Sequence, residues 1–197
     1  MGLRSGSIYA NDLGGSKKLE EAVGHVEHEA QQVLRFRSGE PKLVKTHGLC
    51  KDDRRAIYVV RDGRAAAVSL WKFFDGKYSL QDVVADKTEF GLWQDHVESW
   101  DPANRPNTVF LRYEEINANP LAAVEALAAF LDKPIISREI PARETLATEG
   151  EKWVTKGSNW RAVMTVELLE QFIQLNNRQL QALGYVSPAV AIPVSGT

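Results

Sequence analysis

The segment AIYVVRDGRAAAVSLWKFF, residues 56–74, is the sequence feature that most limits the fold. Residues 56–60 are apolar and rich in β-branched side chains, which predicts a strand buried on both faces, as in a parallel sheet. An Arg-Asp-Gly break follows, and the apolar spacing from Arg64 to Phe74 predicts an amphipathic helix. A strand that turns directly into a helix is the first half of a βαβ unit, so the segment favours an α/β fold.

The rest of the chain continues this alternation of strands and helices. Further strands are predicted for KLVKTH, 42–47, and for TVFLRYEEI, 108–116. Helices are predicted at 16–36 with Ser16 as N-cap, at 90–100 after a polar loop, from Pro120 to 131, and at 165–185 with Gly184 at the end. The pattern predicts a three-layer α/β domain with a parallel sheet over residues 1–186 and a loose tail at 187–197.

Composition narrows the class of partner. The net charge of −2 gives no bulk attraction to nucleic acid or to an anionic membrane, so an anion site has to be local. No apolar stretch reaches the roughly 18 residues that a membrane span needs, and the first residues lack the apolar region of a signal peptide. Cys50 is the single cysteine, which excludes an internal disulfide. We therefore expect a cytoplasmic protein.

The Arg-Asp-Gly break is a candidate anion site, because ligands of open parallel sheets lie beyond the carboxyl ends of the strands. The planar guanidinium of Arg61 suits bidentate contact with a phosphate, and Ser69 offers a hydroxyl one to two helical turns later. The helix amides at 64–66 add partial positive charge. The alternative is a surface ion pair of Arg61 with Asp62 and a Ser69 hydroxyl that bonds its own helix backbone. Spacing alone leaves both open.

Four blocks, in this order, resemble the PAPS-dependent sulfotransferases. They are LVKTH, then AIYVVRDGRAAAVSLWKFF, then VFLRYEEINANP ahead of FL, then KGSNWR with a late helix ending in LGY. The resemblance runs from about Lys42 to Tyr185. It implies a P-loop-kinase-like fold and transfer of a sulfuryl group from 3'-phosphoadenosine 5'-phosphosulfate (PAPS) to a hydroxyl or amine. The acceptor would belong to a small molecule, a glycan or a peptide.

The resemblance also implies which residues hold the nucleotide. Arg61 and Ser69 match the residues that hold its 3'-phosphate. The block with Lys156 and Gly157 closes over the same phosphate in the family, although a threonine precedes it here where the family often has arginine. Tyr113 matches the tyrosine that helps to hold the adenine. The alternatives are a buried aromatic residue at a strand end for Tyr113 and a solvated loop lysine for Lys156.

His47 and Lys45 match the family's catalytic positions. An ordinary histidine, with an unperturbed pKa of about 6.5, can take a proton from the acceptor at neutral pH, which makes His47 the expected general base. Lys45 lies two residues away on the same face of an extended strand and could stabilise the bridging oxygen as charge builds on the leaving nucleotide. A sulfuryl group carries less charge than a phosphoryl group, so we expect no metal cofactor. The alternative for His47 is a polar strand-end residue without a catalytic role.

The remaining histidines and the cysteine are interpreted as structural or solvated. His96 lies on a predicted helix between two tryptophans and is expected to pack among them. His25 and His28 are expected on the solvated face of the first helix. Cys50 has no neighbour that marks it as a nucleophile.

The family's loop for the 5'-phosphosulfate is the part of the pattern that is hardest to find here. Arg4–Ser7, RSGS, is the one candidate, but ANDLGG interrupts the helix that should follow it. We favour the interpretation that residues 5–15 correspond to a segment after that helix, and that the first strand, the loop and the helix are missing from this chain. In that case 43–45 or 58–60 would lose a neighbouring strand, and self-association is expected.

The rival function is a non-catalytic remnant that binds only the 3',5'-bisphosphate nucleotide. A P-loop kinase or NTPase is disfavoured because no G-x-x-x-x-G-K-[ST] occurs.

Overall fold

A computed structural model describes residues 1, 3–9, 16–23, 25–28, 42–142, 144, 146–147 and 159–187. The strands are β1 (Arg4–Ser7), β2 (His25–His28), β3 (Lys42–Lys45), β4 (Ala56–Val60) and β5 (Thr108–Arg112). The helices are α1 (Lys17–Val23), α2 (Gly63–Phe74), α3 (Leu80–Val84), α4 (Trp93–Trp100), α5 (Tyr113–Ala118), α6 (Pro120–Leu131) and α7 (Val166–Ala182), with a 3₁₀ turn at Trp160–Ala162. The chain forms two compact units, 1–48 with 114–156 and 49–113 with 157–197.

The first unit contains a parallel sheet in the order β2-β1-β3. Strand β1 is its central member, and its register with β3 pairs Ser7 with Lys45. The pairing continues for one more bond, in which the Ile8 amide donates to the Lys45 carbonyl at 3.3 Å. Ser7 is completely buried, and Leu19 of α1 is buried in the same unit. The segment 43–45, which was expected to lack a neighbour, therefore has β1 beside it.

The helix predicted at 16–36 is wrong beyond its first turns. The Ser16 hydroxyl accepts the Leu19 amide at 3.3 Å, so Ser16 caps α1 as predicted. The helix ends at Val23, and β2 follows at His25–His28. His25 and His28 thus belong to a strand and not to a helix face. Pairing with β1 outweighs the helical spacing of this segment, since β-propensity depends on neighbouring strands; residues 29–36 lie outside the described residues.

The second unit contains the parallel pair β4–β5, in the register that pairs Val60 with Arg112. Tyr58 and Val60 point toward α4 and the end of α7, where they pack with Val97 and Leu183. Val59 points to the opposite face and is 49% exposed. The strand predicted at 56–60 is confirmed, but the expectation that both faces are buried is wrong, because α4 and α7 cover only one of them.

Helix α2 packs against α3 and α7 in the main core of this unit. Val68 of α2, Val84 of α3 and Leu180 of α7 are almost completely buried there. The prediction of a polar loop after Phe74 missed α3. Its start is a capping box, in which the Ser79 hydroxyl accepts the Asp82 amide and the Asp82 carboxylate accepts the Ser79 amide.

Helix α7 follows the prediction closely. The Thr165 hydroxyl caps its start, and Gly184 adopts a left-handed conformation (φ +72°) beyond its end. Within the helix, the fully buried Asn176 donates to the Phe172 carbonyl and accepts the Gln94 amide, both at 2.9 Å. The second contact satisfies an amide in the first turn of α4, whose own N-cap residue, Leu92, makes no side-chain cap bond.

The strand predicted at 108–116 is shorter than expected. It ends at Arg112, and Tyr113 is the first residue of α5. The following helix begins as predicted, with Asn119 as cap and Pro120 at its first position. Residues 188–197, most of the predicted tail, lie outside the described residues, and the assignment of 1–186 to one domain stays a prediction.

Gly63 should be the least replaceable residue of α2. A β-carbon at this position would lie 2.7 Å from Trp93 and 3.0 Å from Phe172, closer than packed carbons approach. Gly63→Ala should therefore lower the free energy of unfolding by about 1–3 kcal/mol through overpacking. Urea denaturation followed by circular dichroism measures this. Lys72→Ala, on the exposed side of the same helix, is the control, and equal midpoints for the two variants would contradict the prediction.

Candidate functional site

Arg61 and Tyr113 lie together at the carboxyl ends of β4 and β5. The register pairs Val60 with Arg112, so the next residue of each strand falls beside the other. The Arg61 guanidinium carbon lies 4.6 Å from the centre of the Tyr113 ring, which is a cation–π contact. Both side chains are half-buried. Two residues that were predicted to touch the same nucleotide are thus neighbours.

The second arginine of the break has a structural role. The Arg64 guanidinium makes two hydrogen bonds of 2.9 Å to the two carboxylate oxygens of Asp62 and a third, of 2.8 Å, to the Tyr185 carbonyl. It also lies 4.3 Å above the Trp160 ring, and it is buried. The ion pair at the break therefore joins Asp62 to Arg64 and not to Arg61, contrary to the alternative considered from the sequence.

Two amides at the start of α2 that the sequence offered to an anion already have acceptors within the chain. The Arg64 amide donates to the Asp62 carboxylate at 3.0 Å, and the Ala66 amide donates to the Asp62 carbonyl at 2.8 Å. A carboxylate at the N-cap position already meets the positive end of the helix. These two amides are therefore engaged within the chain, and the partial positive charge expected from the amides at 64–66 stays a prediction. Ser69 lies in the second turn of α2 and is half-buried.

His47 and Lys45 lie at the carboxyl end of β3, in the first unit. Lys45 ends the strand, His47 follows two residues later, and both are exposed. The His47 amide donates to the Tyr9 hydroxyl at 2.8 Å, and the two ring centres are 5.3 Å apart with a tilt of 32°. Sequence reasoning missed Tyr9. No local sequence signal marks it, because Tyr9 comes near His47 only through the β1–β3 pairing, in which Ser7 lies opposite Lys45.

Two stretches of predicted site residues remain, one at Lys156 and Gly157 and one at Arg4–Ser7. Lys156 and Gly157 lie outside the described residues. Arg4–Ser7 form a strand that is paired on both sides, and the buried Ser7 hydroxyl accepts the Tyr9 amide at 3.1 Å. The alternative in which Arg4–Ser7 is the 5'-phosphosulfate loop is therefore wrong, because a doubly paired strand cannot also wrap its amides around a phosphate.

His96 is a packing residue, as expected. His96 packs between Tyr58 and Trp100, and its Nδ1 is 2.9 Å from the Tyr58 hydroxyl. Burial raises the pKa of the Tyr58 hydroxyl well above its usual range. The Cys50 thiol lies 3.2 Å from the Asp52 carbonyl. Among the residues that the structure describes, no group of three His, Cys, Asp or Glu could hold a metal ion, and no helix is long and apolar enough to cross a membrane.

Comparison with known proteins gives the family. A family model described as Sulfotransferase domain matches residues 9–149, which is most of the chain. The chain belongs to this sulfotransferase family. Its relatives include mouse sulfotransferase 1 family member D1, which is 30% identical over 114 residues, or 48% of this chain and 39% of that protein. Human sulfotransferase 4A1 is 26% identical over 67% of this chain and 57% of its own length.

A solved structure shows the fold of this sulfotransferase. The crystal structure of mouse sulfotransferase SULT7A1 complexed with PAP superimposes with a TM-score of 0.52 at 20% identity, over 64% of this chain and 58% of the mouse chain. The predicted α/β class and sulfotransferase fold are thereby confirmed. The chain spans between about two fifths and three fifths of the length of these relatives.

Replacing Arg64 should destabilise the protein more than replacing Arg61. Arg64→Met removes the guanidinium that pairs with the largely buried Asp62 carboxylate and leaves the main-chain amide bond in place, so the free energy of unfolding should fall by about 1–3 kcal/mol. Arg61→Met is the matched control, and it should cost less than about 1 kcal/mol because only the contact with Tyr113 is lost. Urea denaturation of both variants measures the difference. Equal losses would contradict the structural role of Arg64.

Proposed function

We propose that the chain transfers a sulfuryl group from PAPS to a hydroxyl or amine acceptor. The observation that carries this proposal is the stack of Arg61 on Tyr113 at the carboxyl edge of β4–β5. A cation beside an aromatic ring suits a ligand that carries both a phosphate and a base. The PAP bound to the structurally similar mouse sulfotransferase is a ligand of that kind.

The charges at this edge fit an anionic nucleotide. The negative charge of Asp62 is offset by the bidentate Arg64, so it does not cancel the charge of Arg61. Arg112 adds a further guanidinium at the end of β5, 5.3 Å from the Tyr185 ring. The strand ends thus offer guanidinium groups to an anionic ligand locally, although the chain as a whole is slightly negative.

We assign the nucleotide contacts as follows. Arg61 and Ser69 hold the 3'-phosphate, and Tyr113 contacts the adenine. Lys156 and Gly157 close over the same phosphate. When bound, PAPS supplies the activated sulfuryl group, and no metal is required in this proposal because the transferring group carries little charge.

His47 and Lys45 carry the acid–base and electrostatic work of the proposed reaction. The exposed His47 imidazole takes the proton of the acceptor hydroxyl or amine, and so makes it a better nucleophile. The Lys45 ammonium stabilises negative charge that develops on the bridging oxygen. The sequence brings both to the end of one strand, within three residues of each other.

The setting and the partners of the protein are also proposals. A chain with a single cysteine suits the reducing cytoplasm. A small molecule, a glycan or a peptide can supply the acceptor group. Self-association stays a prediction, based on a sheet strand that lacks a neighbour.

The nucleotide assignment predicts selectivity for the 3'-phosphate. Adenosine 3',5'-bisphosphate should bind at least about tenfold more tightly than adenosine 5'-monophosphate, because Arg61 makes a charge-assisted contact only with the former. Arg61→Ala should remove most of this difference. Isothermal titration calorimetry measures all four affinities, with Lys72→Ala as the surface control. Equal affinity of the parent protein for both nucleotides would contradict the assignment.

The catalytic assignment predicts a split between transfer and binding. His47→Ala should lower the rate of sulfate transfer by about a hundredfold or more, because a positioned general base contributes that much. Its affinity for the bisphosphate should stay at the parent value, since the imidazole acts on the acceptor. Transfer of labelled sulfate from PAPS to a panel of phenols, alcohols and amines measures the rate. A variant that transfers at the parent rate would remove the assignment, and a parent that binds the bisphosphate but never transfers would favour the non-catalytic remnant.

A further inference from the structure

We propose that Tyr9 is a positioning residue for His47, holding the imidazole in place at the end of β3. The proposal rests on the proposed function, because it assigns to Tyr9 the task of orienting the general base. Tyr9 lies 38 residues before His47 in the chain. The contact therefore depends on the fold of the first unit and not on local sequence.

Strand register explains why these two residues meet. Strands β1 and β3 are parallel, and Ser7 lies opposite Lys45. Tyr9 and His47 each follow that pair by two residues, just beyond the ends of the two strands. The bond from the Ile8 amide to the Lys45 carbonyl extends the pairing past the last register pair. Tyr9 thus reaches His47 as a continuation of the sheet.

Two contacts of different kinds join Tyr9 to His47. The hydroxyl accepts the main-chain amide at 2.8 Å, which fixes the backbone of His47 just beyond the end of the strand. The phenol ring lies beside the imidazole, with centres 5.3 Å apart and a tilt of 32°. Ring contact of this kind limits the rotation of the imidazole. Backbone and side chain of the proposed base are therefore both held by one residue.

Tyr9 is itself held firmly enough to serve as a support. Its amide donates to the hydroxyl of Ser7, which is completely buried, and Ile8 between them is 9% exposed. Moving Tyr9 would disturb the end of β1 and its bond to Lys45. The support and both proposed catalytic side chains thus share one pair of strands.

His47 needs such a support because it is exposed and lies beyond the paired part of β3. An exposed side chain outside a strand samples several rotamers, and most of them would point the imidazole away from the acceptor. Fixing a catalytic group in its productive geometry contributes directly to the rate. Loss of the support should therefore lower kcat more than it changes the binding of either substrate.

Tyr9→Phe and Tyr9→Leu test the two contacts separately. Tyr9→Phe removes the hydroxyl, so the His47 amide should exchange with deuterium at least about tenfold faster, and kcat should fall about tenfold. Tyr9→Leu also removes the ring and should lower kcat further. The KM for the acceptor and the affinity for the bisphosphate should stay within about twofold of the parent values. Circular dichroism melting confirms that both variants are folded.

Tyr58→Phe is the matched control. It also removes one phenol hydrogen bond to a histidine, that to His96, but in the second unit. The exchange rate of the His47 amide should be unchanged in this variant. If the His47 amide exchanges at the parent rate in Tyr9→Phe, the hydrogen bond to Tyr9 does not protect it, and the proposal is overturned. Faster exchange with an unchanged kcat would overturn the positioning role.

Failure of the proposed function is distinguishable from failure of this inference. If the parent protein transfers no sulfate, the proposed function is overturned, and this result comes before any variant is made. Exchange of the His47 amide and the NMR line width of its imidazole then decide the inference without turnover. Amide exchange that Tyr9→Phe leaves unchanged, or an imidazole line width that Tyr9→Leu leaves unchanged, would overturn it, and changes in these variants but not in Tyr58→Phe support it.

Discussion

The buried ion pair between Asp62 and Arg64 is the interaction on which the second unit depends most. Asp62 caps the start of α2, and the Arg64 guanidinium contacts the Tyr185 carbonyl and the Trp160 ring. The pair therefore ties the start of α2 to segments more than 90 residues later in the chain. A charge that is buried in this way is tolerated only with its partner in place, so the pair fixes one arrangement of these segments.

The same pair determines which arginine is available to a ligand. The sequence offers two arginines around one Asp-Gly turn, and both follow the same strand. Because Asp62 is engaged by Arg64, Arg61 is left to lie over Tyr113 at the strand ends. The Asp62 carboxylate also accepts the Arg64 amide at the start of α2, so it offsets part of the positive end of the helix dipole.

Local patterns predicted most of the elements but not the pairing between them. The strands at 42–45 and 56–60, the helix after Gly63, the proline start of α6 and the final helix all follow from residue spacing and caps. Strand β2 was missed because its four residues continue a helical pattern, and the partner that makes them a strand is β1. Helix α3 was missed because its five residues are too few for a periodic signal, although Ser79 and Asp82 form a capping box.

The candidate site shows the same division between local and non-local information. Arg61, Tyr113, Lys45 and His47 could be found from their place at strand ends and from the family resemblance. The neighbours that orient them could not, because Arg61 meets Tyr113 through the β4–β5 register and His47 meets Tyr9 through the β1–β3 register. In these two parallel pairs, residues just past the last paired positions are in contact without being fully buried. Such positions combine a fixed backbone with an accessible side chain, which is what a binding or catalytic group requires.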